Sequence, residues 1–452
     1  MKNFILTGFV FFLLHIVVWN ETVAQTQDTW TLEDCIRFAL EHNLQLKRVE
    51  LVALTSKQNY IQSKIKLLPS LEGFAQHSLS SGKTVNYDDY TYVYQKFQDG
   101  NLGAQSYMDL FNGFQQTNLI RRNKYNFLAA MADVDKQKND LIIDLTLAYM
   151  KILYNEEFLE IAKAQYGIIL QETERVASMV EVGNESQGVL LDIKSQAAAE
   201  RLNVTTVKNQ LKTSYLDLIQ LLDLDSLAGF SIAKPVDILI TDTSSVVSFK
   251  TVYNTAVANF PEIKSAEYTL KKQERNLAVT RGQRSPRIYL RGLIYSRYSE
   301  LGTNPLDPTA IYPYIDQIKD NNYQQISVNL SVPIFQQWTI QNKISNAKIT
   351  LKDAELNLNQ TKQLLYKSIQ QTHLDALAAL EKYRSSTETV TSREMAFEYS
   401  REKLKAGIEN ATDYNTAKNN LIKAQAELLQ AKYEFVFTTK ILDFYMGTPV
   451  GF

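Results

Sequence analysis

The stretch from Ile334 to Ala406 is the feature that most constrains this fold: it reads Ile334-Phe335-Gln336-Gln337-Trp338 and then a continuous helical pattern to Lys405-Ala406. The stretch contains neither Gly nor Pro, which cost roughly 1 and 3 kcal/mol relative to Ala inside a helix. At about 1.5 Å per residue it forms a rod of roughly 110 Å, whereas an ordinary globular helix has about 11–12 residues. The stretch therefore predicts a coiled-coil arm or a wall element, not a helix of a compact core.

The segment immediately before this stretch predicts a β-strand with one apolar and one polar face. Apolar and polar residues alternate strictly up to Pro333, which cannot donate a hydrogen bond to a central ladder. The apolar positions, which we predict to face the membrane, are Ile326, Val328, Leu330 and Val332. The polar positions are Ser327, Asn329 and Ser331.

Length and composition set broad limits. A chain of 452 residues suffices for two or three globular domains or one elongated fold. The formal net charge of -1 does not indicate nucleic-acid binding, which is typical of strongly basic proteins. Low Gly and Pro contents, 16 and 9 residues, favour helix. The single cysteine, Cys35, excludes an intramolecular disulfide framework and an all-cysteine zinc site.

The N-terminus predicts a secretory signal peptide over residues 1–24. Lys2 precedes an apolar run from Phe4 to Val18, and Thr22-Val23-Ala24 supplies small residues at the expected cleavage point. A membrane anchor is the alternative, although the apolar run is short for one. We expect an exported mature chain.

An internal repeat divides the rest of the chain. Ala39–Lys47 aligns with Ala256–Lys264, and Leu110–Phe114 aligns with Ile334–Trp338. The second register continues without gaps and places Gly183 on Gly407. The predicted organisation is a first repeat over 25–224, an equatorial linker over 225–247 and a second repeat over 248–452, together one elongated fold.

Each repeat predicts a short helix, a longer helix, a strand, a Tyr- and Asp-rich loop, a return strand, a very long helix, a Gly turn and a returning helix. The returning helices carry heptad seams typical of helix-on-helix packing, and Glu200 and Ser214 interrupt the first seam. The predicted strands are Leu71–Ser80, Leu102–Phe111, Arg287–Tyr298 and Gln325–Phe335. The predicted returning helices are Ser186–Leu222 and Asn410–Met446.

Four strands cannot close a barrel within one chain, and in water they leave two open edges. Ile288 and Leu290 share one face of the third strand, opposite arginine and tyrosine residues, as in a membrane barrel with apolar residues outward. Pooling strands from several chains removes the edges. Three chains give twelve strands, whereas two give eight, too narrow for a channel.

Aromatic residues mark the points where strand becomes helix. In both repeats they suit the interface between membrane and water, and ordinary core packing at a strand–helix junction is the alternative. These residues are Phe111, Phe114, Phe335 and Trp338.

The duplicated plan, the Val332-Pro333-Ile334-Phe335 junction and the Gly-tipped hairpins resemble the TolC family of outer membrane channel-tunnels. The resemblance implies a mainly α fold with a small membrane β part. In that fold a homotrimer forms a 12-stranded β-barrel in outer membrane lipid, continuous with an α-helical barrel in the periplasm of a Gram-negative bacterium. It also implies a periplasmic membrane-fusion adaptor and an inner-membrane pump of the RND or ABC type.

The function implied is a passive exit duct of a tripartite export system, with small-molecule or drug efflux as the first expectation. The outer membrane component of a type I protein secretion system is the alternative. A structural periplasmic coiled-coil protein is the alternative from a different class of protein. Such a protein would not need alternating strands beside an aromatic junction.

The resemblance also implies roles for the hairpin tips. Gly183, Asn184, Gly407 and Ile408 fall at the adaptor-docking ends. Acidic residues past each tip are candidates for the entrance gate, although in that position they also favour helix N-termini through the dipole. Leu404 and Glu409 stand where relatives carry a basic or aromatic gate partner, so the usual salt-bridged lock is not expected. The gate candidates are Glu185, Asp192, Glu409 and Asp413.

No catalytic set, cofactor motif or metal-ligand spacing stands out. Ser81-Gly82-Lys83-Thr84 resembles the end of a phosphate loop, but His77 occupies the upstream glycine position. We expect this segment in an extracellular loop. The four histidines are scattered along the chain, so enzyme activity is the least favoured class.

Overall fold

The computed structural model describes residues 29–85, 90–226, 229–235, 246–304, 306–307, 309–310 and 312–451. The predicted signal peptide lies outside this part of the chain, as do residues 236–245 of the predicted linker.

Long helices dominate the described residues, and the same order of elements occurs in both halves of the chain. The two longest, α3 (Gln115–Glu181) and α8 (Thr339–Lys405), each contain 67 residues, about 100 Å at the α-helical rise. The helices are α1 (Leu32–His42), α2 (Leu44–Ile65), α3 (Gln115–Glu181), α4 (Gln187–Leu222), α5 (Phe249–Asn259), α6 (Pro261–Gly282), α7 (Tyr314–Asp320), α8 (Thr339–Lys405) and α9 (Ala411–Tyr445).

Four strands form one antiparallel sheet in the order β2-β3-β5-β6, and a separate two-residue pair joins β1 to β4 in parallel. The four-strand prediction is confirmed, whereas the short β1–β4 pair was not predicted. The strands are β1 (Thr29–Trp30), β2 (Ser70–Val85), β3 (Tyr92–Phe111), β4 (Ser231–Ile232), β5 (Arg287–Ser299) and β6 (Tyr323–Ser331).

Four local predictions were wrong. The second strand begins at Tyr92 rather than at Leu102. Ser81–Thr84 lies inside β2 rather than in a loop, because β2 and β3 continue their pairing out to Val85 and Tyr92. The last strand ends at Ser331, so Val332 follows β6 instead of belonging to it. Pro333 explains this end, since it lacks the N–H that a further ladder bond requires. The Tyr-rich segment before β6 contains α7.

Helix α3 lies at the centre of the helical layer. It packs against α2 and α6 along one part of its length and against α4 and α9 along another, while α8 packs against α6 and α9. Because α2 leads into the sheet and α3 leaves it, α2 and α6 accompany the half of α3 near the sheet. The helices α4 and α9 accompany the half near the hairpin tips.

The main buried core lies midway along this layer, where α1, α3, α4 and β4 meet. Tyr149 of α3 is almost fully buried there, and its hydroxyl donates a hydrogen bond of 2.6 Å to the carbonyl oxygen of Ala233. This bond ties the segment after β4 to the long helix.

The two strand-to-helix junctions use the same left-handed backbone. Phe114 and Trp338 are the N-caps of α3 and α8, with φ of 58° and 59°. The residues before them, Gly113 and Gln337, also have positive φ. Bulky residues rarely adopt this conformation, so its occurrence in both halves marks equivalent positions of the repeat.

Candidate duct wall and hairpin tips

One face of the sheet is apolar. Residues directly opposite each other on neighbouring strands share a face, and the register pairs Ile288 with Leu330 and Leu290 with Val328. Ile326 and Val328 of β6 are 83% and 67% exposed, so this face lies on the surface of the isolated chain.

The opposite face carries charged, amide and aromatic side chains that bond across the strands. Arg287 of β5 forms an ion pair of 2.7 Å with Asp109 of β3. Gln105 of β3 donates a hydrogen bond of 3.0 Å to Glu72 of β2, and the guanidinium of Arg291 lies over the ring of Tyr107. A sheet with one apolar and one hydrogen-bonded polar face suits a wall between lipid and water.

Both edges of this sheet are open. Within the described residues, β2 pairs only with β3 and β6 pairs only with β5. Unpaired edge groups cannot be left facing lipid, because hydrocarbon offers them no hydrogen-bond partner.

The junction aromatics are exposed in the isolated chain. Phe114, Phe335 and Trp338 are 66%, 73% and 70% exposed. Phe111 lies opposite Ile288 on the apolar face after a bulge in β3, and its ring packs edge-on against Phe114 at 5.6 Å. These exposures disfavour core packing within one chain as the reason for the aromatics.

Exposed apolar stripes follow the two outermost helices near the sheet, α2 and α8. These helices lie at opposite ends of the packing order α2–α3–α6–α8, so each chain has two lateral helix faces without a partner among its described residues. The exposed residues on α2 are Leu44, Leu51, Val52, Leu54, Ile61 and Ile65, and those on this part of α8 are Ile349, Leu356 and Leu364.

Each hairpin tip closes with a glycine in the left-handed conformation. Gly183 and Gly407 have φ of +77° and +72°. The N–H of the next residue then bonds back to the long helix, from Asn184 to Met179 at 2.8 Å and from Ile408 to Lys403 at 3.0 Å. Both tips therefore end in a Schellman motif, and a Cβ at either glycine would meet open space.

The four acidic gate candidates have different surroundings. Asp413 is exposed and takes part in its own helix cap: its carboxylate accepts from the Asn410 side-chain amide at 3.0 Å, and its N–H donates to Asn410 Oδ1 at 2.9 Å. Glu409 accepts from the Ser400 hydroxyl at 2.7 Å. Glu185 and Asp192 are exposed on the other hairpin.

Two buried charged or polar contacts of the returning helices were not predicted. The ammonium of Lys418 on α9 lies 3.3 Å from the carboxylate of Glu200 on α4, and these side chains are only 3% and 15% exposed. The break of the heptad seam at Glu200 was the signal for this buried pair. Ser214, the other break, accepts a hydrogen bond of 2.6 Å from buried Asn155.

A buried tyrosine lies among charged residues where the two hairpins meet. Tyr414 packs against Phe397 with ring centroids 5.4 Å apart, and burial is the main cause that raises its pKa, followed by the nearby Glu172 carboxylate. Glu172 pairs with Arg175 on α3. On α8, Arg401 forms an ion pair of 2.7 Å with Glu398.

The described part of the chain offers neither a metal site nor a membrane-spanning helix. No group of three or more His, Cys, Asp or Glu side chains there could hold a metal ion. Among the described helices, none combines the length and apolar character needed to cross a membrane.

Comparison with known proteins defines the class. The family model described as "Outer membrane efflux protein" matches residues 35–223 and 252–448. The chain therefore belongs to the outer membrane efflux protein family, which is the TolC family. Its family and fold are those of channel proteins rather than enzymes.

Named relatives are distant in sequence but match over most of their length. The chain is 20% identical to outer membrane efflux protein BepC of Brucella suis biovar 1 over 419 residues, 91% of this chain and 84% of BepC. It is 20% identical to outer membrane protein TolC of Vibrio cholerae over 447 residues, 96% of this chain and 92% of TolC. It is also 22% identical to toxin and drug export protein A of Aggregatibacter actinomycetemcomitans over 347 residues, 75% of this chain and 70% of that protein.

Solved structures share the fold. The CmeC outer membrane channel of Campylobacter jejuni superposes with a TM-score of 0.78 at 18% identity, covering 92% of this chain and 85% of CmeC. CusC superposes with a TM-score of 0.77 at 17% identity, covering 93% and 92%. The protein is thus an efflux channel of the outer membrane whose helices extend into the periplasm.

Proposed function

We propose that three copies of this chain form the exit duct of a tripartite export system. The supporting observation is the sheet with two open edges, β2 and β6. Pairing β2 of one copy with β6 of the next produces a closed barrel of twelve strands. Its apolar face then points to lipid and its polar face, with Arg287 and Arg291, lines the lumen.

The helices support the same assembly. The exposed apolar stripes of α2 and α8 lie on the lateral faces that neighbouring copies bring together, so one association covers both strands and helices. In this proposal each repeat forms a similar segment of the duct wall, one from residues 25–224 and one from residues 248–452. The linker 225–247 joins them at the equator of the duct. The exposed aromatics at Phe114 and Trp338 form the belt at the periplasmic surface of the membrane.

We further propose that the hairpin tips dock a periplasmic membrane-fusion adaptor that is joined to an inner-membrane pump of the RND or ABC type. Gly183–Asn184 and Gly407–Ile408 are the exposed ends of rods about 100 Å long, far from the sheet. An end-on contact with a helical hairpin of the adaptor needs tips of this kind.

Small molecules are the first class of cargo that we propose for this duct. This class is placed first because BepC is named as an efflux protein. Another relative is named for toxin and drug export, so type I protein secretion is the second candidate. The duct conducts passively in either case, and the pump selects the cargo.

The trimer is tested by a mass measurement on detergent-extracted protein and by conductance in planar bilayers. We expect a mass of three chains and a stable ion-conducting pore. A stable monomer with its own closed barrel would contradict the proposal. A trimer that binds lipid but never conducts would also contradict it.

A further inference from the structure

A pocket of about 520 Å³ lies where α2, α3 and α6 meet. Three cationic side chains line it, one from each helix: Lys66 just after the end of α2, Arg122 of α3 and Lys272 of α6. The other lining residues are amides, a serine and a leucine, and none of them is acidic. We call this cavity the basic pocket.

The guanidinium of Arg122 is held in place by neutral groups. It donates to Asn276 Oδ1 at 3.2 Å and to Asn123 Oδ1 at 3.2 and 3.3 Å. Asn123 in turn donates to the backbone carbonyl of Asn59 on α2. These bonds join all three helices, so the floor of the basic pocket is built before any ligand arrives.

Among the described residues, none of the three cations of the basic pocket, Lys66, Arg122 and Lys272, belongs to an ion pair within 4.0 Å. Burial lowers the pKa of Arg122 and of Lys272, and the nearby Asp133 partly opposes this for Lys272. An anion in the pocket would offset the cost of removing these charges from water.

We propose that the basic pocket binds the phosphate group of an anionic ligand. The planar guanidinium of Arg122 matches two phosphate oxygens, as Arg does wherever bidentate recognition is needed. Lys66 and Lys272 supply flanking point charges, and the amides donate further hydrogen bonds. A volume of about 520 Å³ lies within the usual range for small-molecule sites.

The position of the basic pocket leaves two sources for this phosphate. Leu119 and Arg122 belong to the first turns of α3, directly beside the sheet that spans the outer membrane. The phosphate is therefore either that of a lipid head group at the membrane surface or that of a phosphorylated solute in the duct. Both flanks of α3 are covered by helices of the same chain, so a neighbouring copy beside α2 or α8 leaves the pocket within one chain.

The experiment titrates the purified full chain by calorimetry at constant ionic strength. The probes are inorganic phosphate and a short-chain phosphatidylglycerol below its micelle concentration, with sodium chloride as the reference. We expect at least one probe to bind. The double variant Arg122→Gln/Lys272→Gln should weaken that binding by about tenfold or more.

The matched control is Arg121→Gln/Lys271→Gln. It removes the same charges from the preceding positions, which are exposed and do not line the pocket, and it should change the affinity by less than about twofold. The double variant Lys66→Gln/Lys272→Gln keeps the helix-joining bonds of Arg122. Its affinity for the probe therefore tests the proposal if loss of Arg122 impairs folding.

Each outcome is informative. Binding of phosphate alone assigns the site to a solute, and binding of the lipid alone assigns it to a head group. No binding of either probe, equal weakening in the control, or unchanged affinity in Lys66→Gln/Lys272→Gln overturns the proposal. None of these readings depends on export or on a partner protein.

Discussion

The glycine at each hairpin tip is the residue at which a long helix reverses direction. Gly183 and Gly407 have positive φ, and a methyl group added at either position would have no other atom within 4 Å. A larger side chain therefore meets no clash, and only the backbone conformation resists substitution. Other residues pay roughly 1–3 kcal/mol for such a conformation, and Asn tolerates it better than most.

We expect Gly183→Val/Gly407→Val to reach the outer membrane but to bind the adaptor more weakly. The strained tips should reopen the Schellman bonds that shape the docking end. Export in cells and adaptor binding in solution are the measurements. Gly183→Asn/Gly407→Asn should restore both, and Gly167→Ala, a helix-interior glycine with open space around it, serves as the control. Unchanged export in the double valine variant would argue against end-on docking.

Two roles can be distinguished for Asp413: it bonds to the N-cap residue of α9, and it is a candidate charge at the periplasmic entrance of the duct. Its carboxylate accepts a hydrogen bond from Asn410, the N-cap residue of α9, and in a trimer three such carboxylates would surround the axis and attract cations. The Debye length is about 8 Å at physiological salt, so a narrow ring would be only partly screened. We therefore propose a closed duct that prefers cations and is blocked by multivalent cations from the periplasmic side.

The variant Asp413→Asn distinguishes these roles, because an amide oxygen still accepts the Asn410 hydrogen bond while the charge is lost. We expect it to relieve the multivalent block in planar-bilayer recordings as fully as Asp413→Ala. Asp192→Asn should act more weakly. A wild-type block in Asp413→Asn would leave the residue as a helix cap only.

At the scale of single elements, β6 tests the assignment of the two sheet faces. Val328 and Ser327 are neighbours in one strand but lie on opposite faces. Arg on the lipid face of a barrel costs about 2–4 kcal/mol near the bilayer midplane, whereas the lumen face is wet. We expect Val328→Arg to reduce trimer yield in the outer membrane and Ser327→Arg to assemble normally with altered conductance. The reverse ranking would show that the faces are inverted.

One buried ion pair, Lys418–Glu200, bridges α9 and α4. Removing one partner of such a pair costs about 3–5 kcal/mol, because the other charge stays buried, whereas replacing both by apolar residues is often neutral. Lys418→Met should therefore lower the thermal stability of the purified protein and expose the hairpins to protease. Lys418→Met/Glu200→Met should recover most of the loss. Equal behaviour of the single and double variants would mean that the pair contributes little.

The extent to which these elements could be predicted follows from their length. The returning helices were predicted to within one residue, because Ser186 and Asn410 are N-cap residues and the heptad seams, despite their polar breaks, extend to the last turns. Helix α7 escaped prediction because seven residues are too few to show a period. The β1–β4 pair escaped because tertiary contacts, rather than local pattern, bring Trp30 beside Ile232.

The candidate sites were harder to predict than the elements. The apolar strand faces follow from alternation alone, and the glycine tips follow from their place between two helices. Lys418 looks like an ordinary solvated residue until α9 is seen to pack on α3 as well as on α8, which brings its ammonium to Glu200 of α4. The basic pocket is lined by one cation from each of three helices. In the sequence no local pattern distinguishes these three residues from the other charged residues around them.

At the scale of the whole molecule, the proposed trimer would join strands and helices through the same two lateral boundaries of each chain. The open sheet edges and the apolar helix stripes belong to the same flanks, so closure of the barrel and closure of the helical wall would occur together. A chain alone exposes both, which is why we expect little stable monomer outside the membrane.

The equal length of α3 and α8 has a consequence for how such a protein can change over time. Both helices span 67 residues, so the two hairpins extend equally far from their strand-to-helix junctions. A deletion of one heptad in a single hairpin would shorten it by about 10 Å and leave a stepped rim. Inherited changes of length should therefore occur in matched pairs across the two halves, while the loops between strands vary freely.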